Sequence, residues 1–311
     1  MTLPNFFIIG AAKCGTTALY HFLNQHPQIY MSHFKEPRFF ALEGKKLDFR
    51  GPADRRGINR GGFTDIEAYR ALFQDASSEK IIGEASTLYL YSQKAPERIS
   101  HHVPGAKLVA VLRNPVERAY SAFLHLVRDG NEPLSDFAQA LREEEARIAD
   151  NWGPVYHYKQ RGFYYPQLKH YFDRFDRDQI RVYLYEDLKS DPSGMARDIF
   201  RFLDVDDAFA PDVSVKHNVS GIPTSATLQA LYLLVGKPNP VKTALRPLFP
   251  TRVRRGMRSM RLRAVRSIQS RNLAKAPRMS PEVRAELSEA YREDILMLQD
   301  LLQRDLSGWL K

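Results

Sequence analysis

The chain has 311 residues, 43% of them hydrophobic, enough for one large α/β domain with a sizeable core. It contains no run of about 18 apolar residues, so no membrane-spanning helix is expected, and its single cysteine, Cys14, rules out an intrachain disulfide. The formal charge of +10 suits an anionic partner, yet nine arginines and one lysine fall within 252–278 with no acid, so the excess belongs to one segment.

The N-terminus reaches strand-like sequence by Phe6, so no signal peptide is expected; with the lone cysteine this fits a reducing, cytoplasmic setting. The apolar run Phe6–Ile9 reads as a strand. It leads into Gly10–Thr17, GAAKCGTT, and then into the amphipathic stretch 18–23, the order of strand, glycine-bearing turn and helix start. Gly10 and Gly15 have the spacing of the phosphate loop of nucleotide hydrolases, GxxxxGK[ST]. Thr16 stands where that motif has its lysine, and Lys13 sits inside the loop instead. Backbone N–H groups opening a helix form an anion site, aided by the helix dipole. Lys13 adds a charge; Thr16 and Thr17 add hydroxyl donors. Cys14 reads as a small loop-filling residue, with no base beside it to make it a nucleophile.

A weaker strand is expected at Ile29–Met31. Residues 50–62, RGPADRRGINRGG, read as a mobile loop, either a solvated connection or an acceptor-binding flap. Helices are expected over 66–74, 94–101, 116–128, 134–149, 165–174, 193–203 and 281–303. Further strands are expected at Ile81–Gly83, Leu108–Leu112 and Ile180–Tyr185. Leu108–Leu112 is apolar without alternation, the pattern of a strand buried on both faces of a parallel sheet. The alternation of strands and helices predicts an α/β fold: a P-loop-like, doubly wound parallel sheet flanked by helices, one domain over 1–311 with a helical C-terminal part. Ligands of such sheets sit outside the carboxyl ends of the strands.

Directly after Leu108–Leu112 comes Arg113-Asn114-Pro115-Val116-Glu117-Arg118-Ala119-Tyr120-Ser121. Pro115 suits a helix start. Arg113 falls at the strand's carboxyl end, where its planar fork suits a second phosphate, or pairs with Glu117. Ser121 lies two turns into the helix. Toward the C-terminus, 252–278 places Val253, Met257, Met260, Ala264 and Ile268 at helical spacing among arginines. This basic amphipathic segment, within a region 224–278, packs on a core with a solvated face, or meets a membrane surface or an acidic glycan peripherally. It lacks interleaved aromatics and any DNA-reading motif, so no nucleic acid is expected. No metal constellation stands out among the nine histidines; His101-His102 reads as a helix end.

FIIGAAKCGTTAL at the first loop, KEPRFF at 35–40 and VLRNPVERAYSAF at 111–123 resemble the PAPS-dependent sulfotransferases, most of all the carbohydrate type such as the heparan sulfate enzymes and their bacterial relatives. PAPS is 3′-phosphoadenosine 5′-phosphosulfate; the product nucleotide is PAP. The resemblance extends in outline through Gly162-Phe163-Tyr164, Tyr185–Leu188 and Leu306–Leu310. It implies a cofactor-binding loop of Lys13, Cys14, Gly15, Thr16 and Thr17 around the 5′-phosphosulfate, and Arg113 with Ser121 on the 3′-phosphate. Tyr164 is implied near the adenine, and Lys216 in a late cofactor-binding loop, 216–221. Glu36 matches the acceptor-side glutamate that acts as base in the carbohydrate enzymes, and His125 a histidine of the N-sulfotransferase members. Lys35 and Ser86 would line the acceptor side. Ala85 replaces a lysine that several glycan enzymes carry, which argues against a highly anionic acceptor.

The expected activity is transfer of the sulfuryl group from PAPS to a hydroxyl of a carbohydrate, glycolipid or small molecule, with Glu36 or His125 as base and Lys13 on the leaving oxygen. No metal is required, because the transferred group carries less charge than a terminal phosphate. Two rivals stand beside it. A P-loop kinase or nucleotide hydrolase would have a lysine after Gly15. A non-catalytic acidic-surface-binding protein would rest on the 252–278 arginines.

Overall fold

The computed structural model describes residues 3–214, 222–223, 273–274 and 277–310. Its centre is a five-stranded sheet of β1 (Phe6–Gly10), β2 (Ile29–Met31), β3 (Ile81–Ala85), β4 (Lys107–Leu112) and β5 (Ile180–Leu184). The strand order is β2-β3-β1-β4-β5, and every pairing is parallel. All five residues of β1 are buried, as are Leu108 to Leu112 of β4, so helices cover both faces at the centre. The five expected strands are all present, with ends shifted by at most two residues. Tyr185 leaves the expected fifth strand because Asp187 Oδ2 accepts the Leu184 N–H (2.8 Å), which starts the short helix Tyr185–Ser190.

The chain runs from β1 to the edge strand β2, comes back to β3 between them, then crosses to build β4 and β5 on the other side of β1. The switch point therefore lies between β1 and β4. Their register shifts between Ile8 and Gly10, and just past β1 the Ala11 N–H donates to Val111 O (2.8 Å). That bond brings the two following loops to one edge of the sheet.

Four helices matter for the site: α1 (Thr16–Leu23), α2 (Pro115–Arg128), α3 (Tyr164–Phe172) and α4 (Pro281–Leu302). Asn114 opens α2 by taking the Val116 and Glu117 N–H groups on Oδ1 (3.0 and 3.3 Å), with Pro115 in the first turn. Ser280 caps α4 through the Val283 N–H. Val283, Leu287, Tyr291, Asp294, Ile295 and Leu298 form the buried stripe of α4, which packs against α3.

Asp294 is the polar member of that apolar stripe and is 4% exposed. It caps α3 from a distance, accepting the Tyr164 N–H on Oδ2 (2.8 Å) and the Tyr165 N–H on Oδ1 (3.1 Å). Burial nevertheless raises its pKa to about 6, against the lowering effect of those two bonds.

Two expectations change. The helix expected over 134–149 is two, Phe137–Arg142 and Glu144–Ala149. The break falls where buried Glu144 turns inward to accept the Lys159 and Gln160 N–H groups (2.7 and 2.8 Å). The segment 50–62 is pinned rather than loosely solvated. Asp54 accepts from Gly51 N (2.8 Å) and Gly153 N (2.7 Å), and Ala53 N donates to the Tyr156 hydroxyl (2.7 Å).

The described chain parts into two compact units. The first holds the sheet, the loops at its carboxyl edge and α4. The second holds Phe123–Asp136 and the antiparallel pair Ile222–Pro223 with Leu273–Ala274. Lys216, and 224–276 apart from Leu273–Ala274, lie outside the described residues, and with them the late cofactor loop and most of the basic segment.

Replacing Asp294 by Ala strands two buried N–H groups at the start of α3, and should cost about 2–4 kcal/mol in urea unfolding. Asp294→Asn, which keeps one acceptor oxygen, should lose less. A loss below about 0.5 kcal/mol for Asp294→Ala would show that the helix start finds other partners.

Candidate active site

The loop between β1 and α1 is shaped by two left-handed residues, Lys13 (φ 70°) and Gly15 (φ 88°). A Cβ at Gly15 would come within 2.4 Å of Leu188 Cδ2, a side-chain end that can turn aside, so it is the left-handed φ that calls for glycine here. As N-cap of α1, Gly15 provides no side-chain acceptor, and the first turn contains no acid. The first N–H groups of the helix therefore point outward without an intrahelical partner, the arrangement that holds an anion. Lys13 and Thr17 are half-buried at this loop and Thr16 is buried. Cys14 is fully buried, with its sulfur 3.9 Å from the Tyr164 hydroxyl. Burial pushes its thiol up to about 11, so it is a neutral loop-filler and not a nucleophile.

The second cradle follows β4. The Arg113 guanidinium lies over the Tyr185 ring (5.1 Å) and its NH2 is 3.5 Å from Glu117 Oε2. The sequence offered phosphate binding or pairing with Glu117; the structure shows the ion pair in place. Tyr164 is fully buried and donates its hydroxyl to Arg113 O (3.0 Å). It lies beneath both loops and ties Cys14 to Arg113. Ser121 is nearly buried on α2.

The acceptor-side motif is a strained turn. Glu36 (φ 67°) and Arg38 (φ 61°) are both left-handed without being glycine. Glu36 N donates to Ala85 O (2.9 Å), which ties the turn to the end of β3. The Glu36 carboxylate accepts from Lys35 Nζ (3.0 Å), Thr87 N (3.0 Å) and Thr87 Oγ1 (3.1 Å), with Arg38 Nε at 3.6 Å. Burial of this 19% exposed side chain would raise its pKa, but Lys35, then Arg38 and the Thr87 hydroxyl, outweigh burial and bring it down to about 2. Glu36 is therefore ionised throughout the physiological range.

Ser86, expected to line the acceptor side, is fully buried. Its hydroxyl donates to Glu84 Oε2 (2.8 Å) and accepts the Arg38 N–H (2.9 Å). Glu84 in turn accepts from the Tyr69 hydroxyl (3.1 Å) and the Tyr89 hydroxyl. This network fixes the turn that carries Glu36. Arg161, also buried, donates to Thr87 O (3.0 Å) and Pro154 O (3.4 Å); desolvation lowers its pKa to about 10.

Nothing in the sequence assigned a role to Arg38, Thr87, Glu84 or Arg161. Arg38 lies inside the KEPRFF motif, and Glu84 and Thr87 flank Ala85 and Ser86. His125 falls in the second unit, where its Nδ1 meets Arg128 NH2 (2.6 Å) and stands 3.6 Å from Asp129 Oδ2. His102 closes its helix and faces Glu43 (3.4 Å), and among the described residues no cluster of His, Cys, Asp and Glu is arranged to hold a metal.

Burial raises the Glu84 pKa from its ordinary 4.5 to about 7, despite the hydroxyls that favour its charge. The folded protein thus keeps this proton up to about pH 7 while the unfolded chain releases it near 4.5. The contribution is complete below the lower value and is lost as pH rises through the higher one. Glu84→Gln stays neutral throughout, so its loss of thermal stability from pH 5 to about 7.5 should be smaller than in the wild type. Identical pH slopes for the two proteins would show that Glu84 ionises without cost.

The model of the family described as "Sulfotransferase family" matches residues 4–210. A bifunctional heparan sulfate N-deacetylase/N-sulfotransferase 4 of Mus musculus is 30% identical over 211 residues, covering 65% of this chain and 22% of the mouse protein. Carbohydrate sulfotransferase 15 of Homo sapiens is 28% identical over 259 residues, covering 65% of this chain and 44% of that protein. The chain thus spans less than half the length of these relatives. The solved sulfotransferase from Alicyclobacillus acidocaldarius is 34% identical, with TM-score 0.77 and full coverage of both chains. The glycine loop, the Arg113 turn and these matches together establish that the chain belongs to the sulfotransferase family.

Proposed function

We propose that this chain transfers the sulfuryl group of PAPS to a hydroxyl of a carbohydrate, glycolipid or small-molecule acceptor, releasing PAP. The observation that carries the reading is the pair of anion cradles at the switch point, joined through Ala11 N–Val111 O, with Glu36 held ionised on the neighbouring strand end. Two cationic loops side by side suit a nucleotide that bears phosphate groups at two places. The acid-free start of α1 and the left-handed Gly15 fit the phosphosulfate end. The donor supplies an activated sulfur with a phosphate leaving group.

In this reading Lys13, Gly15, Thr16 and Thr17 bind the phosphosulfate, Cys14 fills the loop beneath them, and Arg113 with Ser121 binds the 3′-phosphate. The new bond joins the acceptor oxygen to sulfur while the bond from sulfur to the bridging oxygen breaks. Its electron pair passes to the phosphate oxygen, where Lys13 offsets the charge. The acceptor proton passes to Glu36. Lys35 and Arg38 keep Glu36 ionised and also weaken it as a base, so an anion that draws either cation away increases its basicity. Glu84, Ser86 and Thr87 hold the carboxylate in place. The buried position of Ser86 makes it a support for the acceptor side, with half-buried Lys35 as the contact.

Calorimetric titration tests the nucleotide assignment. PAP should bind at least about tenfold more tightly than 5′-AMP, since charged hydrogen bonds to a phosphate are the strong ones. ATP should bind no better than AMP. Tight magnesium-dependent ATP binding with weak PAP binding would return the reading to a kinase or hydrolase. Glu36→Gln should leave PAP affinity unchanged and lower turnover by about 100-fold or more in a labelled-PAPS acceptor screen. Unchanged turnover would move the proton to another base, His125 first.

A further inference from the structure

Helix α4 lies beyond the residues matched by the family model, yet it reaches the Arg113 cradle. Glu117 stands in the first turn of α2 between two arginines. Its Oε2 faces Arg113 NH2 at 3.5 Å, and its Oε1 accepts a hydrogen bond from Arg284 NH2 on α4. Arg113 stands just before α2 and Glu117 in its first turn, four residues on, which places the carboxylate within reach of the guanidinium. A carboxylate and a phosphate compete for the same planar fork. Whatever shares Glu117 with Arg113 therefore loosens that pair and makes Arg113 easier for an anion to claim.

Arg284 is placed for that task. The backbone turn under Arg113 is itself fixed, by Asn114 Nδ2 donating to Trp309 O (3.3 Å) and by the Tyr164 hydroxyl on Arg113 O. The variable element is the sharing of Glu117 between the two guanidinium groups.

We propose that Arg284 is a positioning residue that sets discrimination for the nucleotide 3′-phosphate by sharing Glu117 and so loosening its hold on Arg113. The proposal rests on the PAPS reading above. Arg284 acts through Glu117 and makes no contact with the phosphate.

The test compares PAP with 5′-AMP, which differ only in the 3′-phosphate, by calorimetric titration of the full chain. Arg284 and Glu117 side chains are 40% and 36% exposed, so Arg284→Gln and Glu117→Gln are expected to fold. Arg284→Gln should lower the ratio of AMP to PAP dissociation constants by about threefold, the scale of a partly exposed ion pair. In the Glu117→Gln background the same change should leave the ratio where Glu117→Gln alone puts it, because no carboxylate remains to close on Arg113. An unaltered ratio in the single variant overturns the proposal. So does an equal fall in both backgrounds, which would mean that Arg284 touches the phosphate directly. A wild type that binds the two nucleotides equally removes the PAPS reading itself, and is seen before any variant is made.

Discussion

The site depends on the parallel pairing of β1 and β4 across the point where the strand order reverses. Parallel neighbours leave the sheet at the same edge, so the loops after Gly10 and Leu112 emerge together. The register shift between Ile8 and Gly10, followed by Ala11 N–Val111 O, sets how closely they approach. Tyr164 then spans the two loops from below, with its sulfur contact to Cys14 and its hydrogen bond to Arg113 O. Remove that edge alignment and the cations of the two loops no longer form one surface.

Charge in this region is shared rather than simply paired. Glu36 stands between Lys35 and Arg38, and Glu117 between Arg113 and Arg284. Each carboxylate limits the repulsion among cations that a dianionic ligand would otherwise have to offset. Arg161 is buried and donates to the Thr87 and Pro154 carbonyls, and its lowered pKa reflects the desolvation cost of that position. A preorganised set of cations in a partly desolvated cleft is what transfer of a charged group requires.

Much of this was legible in the sequence, because it is local. Phe6–Ile9 before GAAKCGTT, and the apolar Leu108–Leu112 before Arg113-Asn114-Pro115, are strand–turn–helix units whose chemistry lies within a dozen residues. All five strands follow from apolar runs and turn signals. The supports of the site were not legible. Thr87 reaches Glu36 across 51 positions, Asp294 reaches Tyr164 across 130, and Arg284 reaches Glu117 across 167. A threonine after a strand or an arginine on an amphipathic helix has no local mark of such a partner. Asp294 did leave one signal, a charge at the place where the stripe of Val283, Leu287, Tyr291 and Leu298 calls for an apolar residue.

By itself the sequence singled out the candidates for the chemistry, Lys13, Glu36 and Arg113, each in a short motif beside a strand end. It determined the α/β class as well, since hydrophobic periodicity is a local property. Only the tertiary structure decided the state in which those residues are held. It made Cys14 a buried thiol, lowered Glu36 to about 2, turned Ser86 inward, and brought α4 against the Arg113 cradle. Protonation and orientation depend on burial and on charges contributed by distant segments, and those distances exist only once the chain has folded.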